Sequence, residues 1–465
     1  MLHNRIPPLF LVLLGHLIGI STGTDQDRPA TLPEKPNILF IAIDDLRPEL
    51  GCYGAEQVKT PHIDRFANRA VVFNRAYCQV PVCGPSRASL LTGVRPTRET
   101  CTLWNAEEFA PNVPTLPQWF REAGYHTISN GKIFHDPRDS WRKSWSEPPS
   151  LDFLTEHDRF LMPGSVADAQ REGKQYPFFE AANVPDTSYV DGRICERTIE
   201  DLHRLKAMGK PFFLGCGFIR PHLPFNAPKK YWDLYDRSKI RIATNRFRPV
   251  DAPESLKGST EIQMYATRGR TYNSDHFHKL ARHGYYASVS YVDAQIGRLL
   301  NALEVLDLAR NTIVVIWGDH GWHLGEHDYW SKHNLMHQAL HAPLLLRVPG
   351  METSIRVNAI VEFIDIYPTL CTLAGLRQPS HLDGSSLLPV ILDPKTAWKQ
   401  AAYARYENGH TVISQRFAFT QYHDGLMLFD LQMDPQENIN VVSLPEYRQA
   451  AVKMIQMLRK DAPSR

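Results

Sequence analysis

Cys83 opens the run Cys83-Gly84-Pro85-Ser86-Arg87, and the residues that follow, Ala88-Ser89-Leu90-Leu91-Thr92-Gly93, read as a short helix. Pro85 suits a first helical turn and Gly93 a C-terminal stop. The thiol then sits at the helix N-terminus, where unpaired N–H groups and the positive end of the helix dipole favour an oxyanion. Arg87, one turn further on, adds a fixed planar cation. A lone cysteine is more often a buried, inert side chain, so a reactive reading of Cys83 needs support from elsewhere in the chain.

That support comes from acidic residues at the ends of apolar runs. Asp44-Asp45 ends the run Asn37 to Ile43, and Gly318-Asp319-His320-Gly321 follows the run Ile313 to Trp317. Delivered to the same edge of a parallel sheet, these side chains converge on a hard cation. Three carboxylates in one spot repel one another unless a divalent ion neutralises them, and oxygen ligands point to Ca²⁺ or Mg²⁺ rather than zinc. Helix caps and turn aspartates are the plainer alternative for each pair taken alone.

The elements that must position these residues alternate. The run 37–43 predicts a central parallel strand buried on both faces. Thr60 and Pro61 predict a capped helix with Ile63, Phe66, Ala67 and Ala70 on one face, and Thr115 caps a second through Ala123, closed by Gly124. Tyr125 to Ile128 returns as a strand, followed by a helix over Val190–Met208 ended by Gly209 and a strand over Phe212–Gly217. A long helix over about Tyr285–Leu306 leads into the strand Ile313–Trp317. Such alternation implies right-handed crossovers and an α/β fold with a large, mostly parallel central sheet flanked by helices.

Two irregular stretches, Asp136–Asn183 and Asn226–Asp275, are rich in Pro, charge and aromatics, as loops that build or shade a cleft are. From about Asp383 the segments shorten, with Ala402–Arg405, Phe417–Tyr422 and Leu426–Leu431 before a final helix near Glu446–Leu458. These predict a smaller C-terminal antiparallel subdomain over 383–465 beside a main domain over 36–382. At 465 residues the chain is long for one core, which fits that division.

Lys and Arg number 52 against 50 Asp and Glu, a formal charge of +2 that speaks against a nucleic-acid binder or a polybasic membrane clamp. Residues 1–23 read as a signal peptide, too short for a comfortable membrane span, with the mature chain starting near Thr24. No Asn-x-Ser/Thr sequon occurs, which favours a bacterial periplasm or exterior over a lysosome. The other six cysteines specify no disulfide connectivity by their spacing.

The Cys83 to Gly93 run resembles the signature of the formylglycine-dependent, type I sulfatases, in which the cysteine is oxidised to an aldehyde that becomes the nucleophile. Asp44-Asp45-Leu46-Arg47-Pro48-Glu49-Leu50-Gly51-Cys52-Tyr53-Gly54 resembles the branch of that family containing iduronate-2-sulfatase. So does Gly318-Asp319-His320-Gly321-Trp322-His323-Leu324-Gly325-Glu326-His327 with Trp330-Ser331-Lys332. Gly131-Lys132-Ile133-Phe134-His135 and Arg220-Pro221-His222-Leu223-Pro224-Phe225 match the same branch, in register from about Pro36 to Pro349.

The resemblance implies an alkaline-phosphatase-like fold and a sulfatase that hydrolyses sulfate esters of sulfated sugars, exo-acting on a uronate 2-O-sulfate of a glycosaminoglycan-type or related polysaccharide. It implies Asp44, Asp45, Asp319, His320 and modified Cys83 as ligands of Ca²⁺, or of Mg²⁺. Lys132, His222 and Lys332 would contact the sulfate oxygens, and His135 with Arg87 would hold the formylglycine hydroxyls. His222 or Lys332 would protonate the leaving oxygen. Trp104, Trp322 and His323 are candidate substrate contacts; His323 otherwise reads like His327, His333, His337 and His341, as ordinary structural histidines. A formylglycine-generating maturation enzyme becomes a required partner. Two other readings stay open: a phosphomonoester or phosphonate hydrolase of the same superfamily, and a sulfated-glycan-binding protein in which Cys83 stays a thiol.

Overall fold

The computed structural model describes residues 33–151, 159–170, 176–266, 271–272 and 274–460. The signal peptide expected over 1–23 lies outside the described residues. The central sheet contains β1 (Asn37–Ile43), β2 (Val71–Phe73), β3 (His126–Gly131), β4 (Phe212–Phe218), β5 (Thr312–Gly318), β6 (Leu344–Arg347) and β7 (Ile355–Val357). Its order is β7-β2-β6-β5-β1-β4-β3. β1 pairs in parallel with β5 and β4, β3 pairs in parallel with β4, and β6 runs antiparallel to both of its neighbours, so the sheet is mostly parallel.

Every residue of β1 is buried. Its side chains alternate between two cores, Ile38, Phe40 and Ala42 on one face and Leu39, Ile41 and Ile43 on the other. The helices that flank the sheet include α1 (Pro61–Ala67), α2 (Cys83–Thr92), α3 (Leu116–Glu122), α4 (Val190–Met208) and α5 (Asp275–Val305). α2 and α3 pack into the first core through Leu90, Leu91, Leu116 and Phe120. α4 and α5 pack into the second through Leu202, Leu205, Val289 and Val292. Both faces are covered, which is why the strands read as continuous apolar runs.

Strand register delivers the chemistry to one edge. Ile43 stands opposite Gly318, so Asp44 and Asp319 leave the sheet together, and the Asp319 N–H donates to the Ile43 carbonyl. Gly131 stands opposite Gly217 and brings Lys132 to the same edge. Gly131 has φ +71 and a Cβ there would meet the Gly217 carbonyl oxygen at 2.1 Å, so no other residue fits this approach of the two chains.

Most elements fall where expected, and the differences have identifiable causes. Thr115 accepts from the Gln118 N–H in a capping box, as expected. Thr60 does not cap α1: its hydroxyl accepts from the Gly51 N–H, and the Asp293 carboxylate on α5 takes the His62 and Ile63 N–H groups instead. α5 starts at Asp275 rather than Tyr285, with Ser274 as its cap. Its polar first turns are held by burial of Phe277, Leu280 and Ala281, and Gly284 lets the helix close against Phe225 and Trp232.

The C-terminal part forms the expected antiparallel sheet from β8 (Ala401–Tyr406), β9 (Gly409–Ser414), β10 (Phe417–Gln421) and β11 (Leu426–Asp430). β9 went unforeseen because Thr411, Val412 and Ile413 are buried in succession, which breaks the alternation, although Asn408-Gly409 is a hairpin signal. α6 (Arg448–Lys460) lays Ala451, Met454 and Leu458 on Val412, Phe419 and Leu428. The opposite face, through Ala402, Ala404 and Ile413, joins the core of the main sheet.

A buried ionic clamp ties the two sheets. Lys399 pairs with Glu362 and Asp365, and Arg95 forks onto Glu362, whose side chain is 0% exposed. Burial pushes the Glu362 carboxyl up, but Lys399 and Arg95 outweigh it and bring it down to about 2. An unfolded glutamate titrates near 4.3, so this group stabilises the fold above that pH and its contribution is lost as pH falls toward 2. Lys399→Met leaves two buried carboxylates without their shared cation. It is expected to cost about 3–5 kcal/mol, read as a lowered thermal midpoint at pH 7.

Candidate active site

Cys83 is the first residue of α2, with Val82 extended before it and Gly93 left-handed after the helix. All ten helical residues are buried, and Cys83 is 3% exposed. Its thiol faces the carboxyl edge of β1 and β5, 3.8 Å from Asp45 Oδ1 and 3.2 Å from His320 Nε2. Asp45 has φ +60, an uncommon backbone for a residue other than glycine. Tyr285 holds it there, its hydroxyl donating to the Asp45 carbonyl and accepting from the Arg47 N–H.

The carboxylates are matched by cations. Arg87, fully buried, donates to Asp319 Oδ2 and Asp44 Oδ1 and to the Lys132 and Ile133 carbonyls. Lys132 Nζ lies 2.6 Å from Asp44 Oδ2, and Lys332 Nζ lies 2.8 Å from Asp45 Oδ1. Lys332 is presented between Ser331 (φ +69) and His333 (φ +76), and rests 4.9 Å above the Trp322 ring. Three carboxylates thus face three cations, so mutual repulsion does not by itself demand a metal ion.

The donor set supplies a better argument for one. A carbonyl only accepts, so the 2.9 Å contact of His320 Nδ1 with the Gly321 carbonyl puts the proton on Nδ1. The Nε2 lone pair then faces Cys83 Sγ at 3.2 Å, Asp45 Oδ1 at 3.4 Å and Asp319 Oδ1 at 3.6 Å. Acceptors arranged this way fit a cation between them, and a histidine fixed by a backbone carbonyl on its other nitrogen is the usual pattern of a metal ligand. Ligand atoms of Asp44, Asp45 and Asp319 lie within 4.8 Å of one another, as do those of Asp45, Cys83 and His320. The residues present therefore fit a hard divalent ion with mainly oxygen ligands.

Charge placement separates the remaining groups. Burial pushes the Cys83 thiol well above its usual range, and Asp44 adds to this while Lys132 and Lys332 oppose it. Burial opposes the Lys132 charge, but Asp44, together with Cys83 and Asp319, more than offsets it and keeps the ammonium above its usual range. His222 donates Nδ1–H to the Leu223 carbonyl and turns Nε2 toward Glu261 Oε1 at 3.4 Å and Asp45 Oδ2 at 3.9 Å. Burial works against its cation, yet Asp45 and Glu261 raise its pKa above the ordinary value. His135 goes the other way: burial, then Lys132, lower it to about 3, so it is neutral at pH 7.

The structure thus brings together Asp44, Asp45, Cys83, Arg87, Lys132, His135, His222, Asp319, His320 and Lys332. Trp104 sits at the opening, 46% exposed, packed on Gly84 and 4.6 Å from the His135 ring. Two expected substrate contacts need correction. Trp322 and His323 are both 0% exposed, Trp322 as the floor beneath Lys332 and His323 bonded to Asn334, so neither presents a surface to a ligand. His327, His337 and His341 are structural, bonded to Phe247, Tyr77 and Asn74. Sequence reasoning missed Glu261 and Ser259. Glu261 bonds Lys332 at 2.9 Å, and Ser259 links the Glu261 N–H to His333 Nδ1. All that marked Glu261 and Ser259 in the sequence was their place in the irregular stretch 226–275.

Comparison with known proteins agrees with this geometry. The sulfatase family profile matches residues 36–376, and that of the N-sulphoglucosamine sulphohydrolase C-terminal region matches 325–463. The chain is 34% identical to iduronate 2-sulfatase of Mus musculus over 413 residues, 80% of this chain and 74% of that protein. It is 32% identical to a sulfatase of Formosa agariphila over 451 residues, 93% of this chain and 88% of that one. A phosphonate monoester hydrolase from Silicibacter pomeroyi shares the fold, with TM-score 0.74 at 23% identity over 92% of this chain and 95% of that chain. The cysteine motif on a helix N-terminus, the acidic strand ends and the matching profile agree: the chain belongs to the sulfatase family, is similar to its iduronate 2-sulfatase branch, and is a sulfuric ester hydrolase.

Proposed function

We propose that the protein removes sulfate from sulfated sugars, acting from the chain end on a uronate 2-O-sulfate of a glycosaminoglycan-type or related polysaccharide. The observation that carries this is Cys83 at the buried N-terminus of α2, among three carboxylates, His320 and two lysines. The likeness to iduronate 2-sulfatase supports the choice of ester. A maturation enzyme converts Cys83 to formylglycine, whose hydrated aldehyde supplies one hydroxyl to attack sulfur and a second to expel sulfate afterwards. Asp44, Asp45, Asp319, His320 and the modified Cys83 would hold Ca²⁺, or Mg²⁺, which would make the nucleophile's oxygen more acidic and offset charge on sulfate.

The chain's own residues do the rest. Lys132 and Lys332 place ammonium groups where sulfuryl oxygens gain charge, fixed before the reaction and so needing no reorganisation. Arg87 braces Asp44 and Asp319 rather than reaching outward. His222, whose pKa Asp45 and Glu261 raise against burial, gives its Nε2 proton to the departing sugar oxygen. His135 is neutral, and its buried Nδ1 lacks a partner among the described residues, so it accepts the proton of the second hydroxyl. Trp104 offers an exposed face to the sugar. A phosphonate ester hydrolase is the weaker reading, because that likeness is one of fold alone.

The division into 36–382 and 383–465 belongs to this reading, as does export to a periplasm or the exterior by a signal peptide. No helix among the described residues is long and apolar enough to cross a membrane.

The test is a substrate panel with matured protein: a terminal 2-O-sulfated uronate disaccharide, the same sulfate placed internally, a 6-O-sulfated glucosamine and 4-nitrophenyl sulfate. Release from the terminal uronate at the highest kcat/KM supports the reading, and preference for the glucosamine or the internal sulfate overturns it. Within the panel, His222→Asn is expected to lower kcat on the sugar sulfates about 100- to 10,000-fold. The loss on 4-nitrophenyl sulfate, whose leaving group needs no proton, is expected to be much smaller.

A further inference from the structure

Glu261 is a carboxylate in a site built to receive an anion, which calls for a reason. Its side chain is 10% exposed and comes from the irregular segment 226–275, far in sequence from every motif of the site. Oε1 accepts from Lys332 Nζ at 2.9 Å and lies 3.4 Å from His222 Nε2. Oε2 is buried and meets no donor among the described residues. An ionised carboxylate accepts through both oxygens, and leaving one buried without a donor is costly.

Charge decides which part of a substrate faces it. The sulfuryl oxygens are negative, so they are drawn to the Lys132 and Lys332 ammonium groups and repelled by Oε2, the Glu261 oxygen that no cation covers. The bridging oxygen and the sugar then lie on the side of His222 and Glu261, where the proton donor is. A neutral hydroxyl on the carbon next to the sulfated one is the donor that this arrangement brings within reach of Oε2. Resting on the sulfatase reading above, we infer that Glu261 is a specificity-determining residue: its free oxygen accepts a hydrogen bond from the sugar hydroxyl adjacent to the sulfate. The site thereby selects vicinal hydroxy-sulfates and disfavours substrates with a second sulfate at that carbon. Glu261 also keeps Lys332 oriented, through Oε1.

The experiment compares two terminal uronate 2-O-sulfates that differ only at carbon 3, one with the free hydroxyl and one with hydrogen in its place. Matured wild type, Glu261→Gln and Glu261→Ala are assayed, with thermal midpoints measured for all. Wild type is expected to prefer the hydroxyl substrate about 10- to 100-fold in kcat/KM, the range of a hydrogen bond to a charged group. Glu261→Ala is expected to bring that ratio near one, and Glu261→Gln, which keeps a weaker acceptor, to fall between. A purely structural role, or one through His222 or Lys332, lowers both substrates equally and leaves the ratio unchanged; that result overturns the inference, as does a wild-type ratio near one. If matured wild type hydrolyses neither sulfate but cleaves another ester, the proposed substrate is wrong and this inference falls with it.

Discussion

Cys83→Ala is expected to abolish turnover, by on the order of a million-fold in kcat, the scale seen when a covalent nucleophile is removed. The thermal midpoint should barely move, since the thiol is a small part of a helix buried along its whole length. Cys83→Ser is expected to be as slow but to differ in kind. A single hydroxyl can take up the sulfuryl group but has no second hydroxyl on the same carbon to expel it. The variant should therefore accumulate a sulfated serine, seen as one added sulfuryl group in the intact mass. Protein made without a maturation enzyme should be equally inactive. Burial and Asp44 hold the Cys83 thiol well above its ordinary pKa, so the thiolate is not available at neutral pH. Turnover by unmatured protein would mean that another group attacks.

The second large effect is expected from the divalent ion. Chelation should lower kcat by about a thousand-fold or more, since several kcal/mol of transition-state stabilisation disappear. A readout independent of turnover comes from stability. Ca²⁺ at about 100 times its dissociation constant should stabilise the ion-free protein by about 2.7 kcal/mol, and raise its thermal midpoint accordingly. An ion at Asp44 and Asp45 competes with Lys132 and Lys332 for those carboxylates, so both ammonium groups become available to an incoming anion. Binding of inorganic sulfate should therefore tighten when Ca²⁺ is present. Asp319→Ala should remove the calcium-dependent shift in midpoint. A midpoint insensitive to Ca²⁺ and Mg²⁺ would contradict the assignment.

Much of this site was legible because the family's motifs coincide with strand ends. Asp44, Lys132 and Asp319 follow β1, β3 and β5 directly, so finding the apolar runs also found the edge where the side chains meet. The fold was legible for the same reason, since parallel strands buried on both faces leave long apolar signatures. The failures came where burial, not motif, decides. Trp322 and His323 belong to a conspicuous motif, yet both are buried, Trp322 beneath Lys332 and His323 against Asn334. Glu261 is the reverse case, a side chain with no sequence signal that reaches Lys332 through an irregular segment. The charge balance of the site was not legible in the sequence. Sequence counts carboxylates, but only coordinates show that Arg87, Lys132 and Lys332 already balance them, and that the His320 lone pair makes the case for a cation.

The most direct test of the central claim is peptide mass spectrometry across the Cys83 segment, on protein purified from a host that matures other sulfatases. Formylglycine in place of cysteine, in proportion to specific activity across preparations, is the predicted result. A fully unmodified thiol in protein that nevertheless hydrolyses sulfate esters would contradict the account.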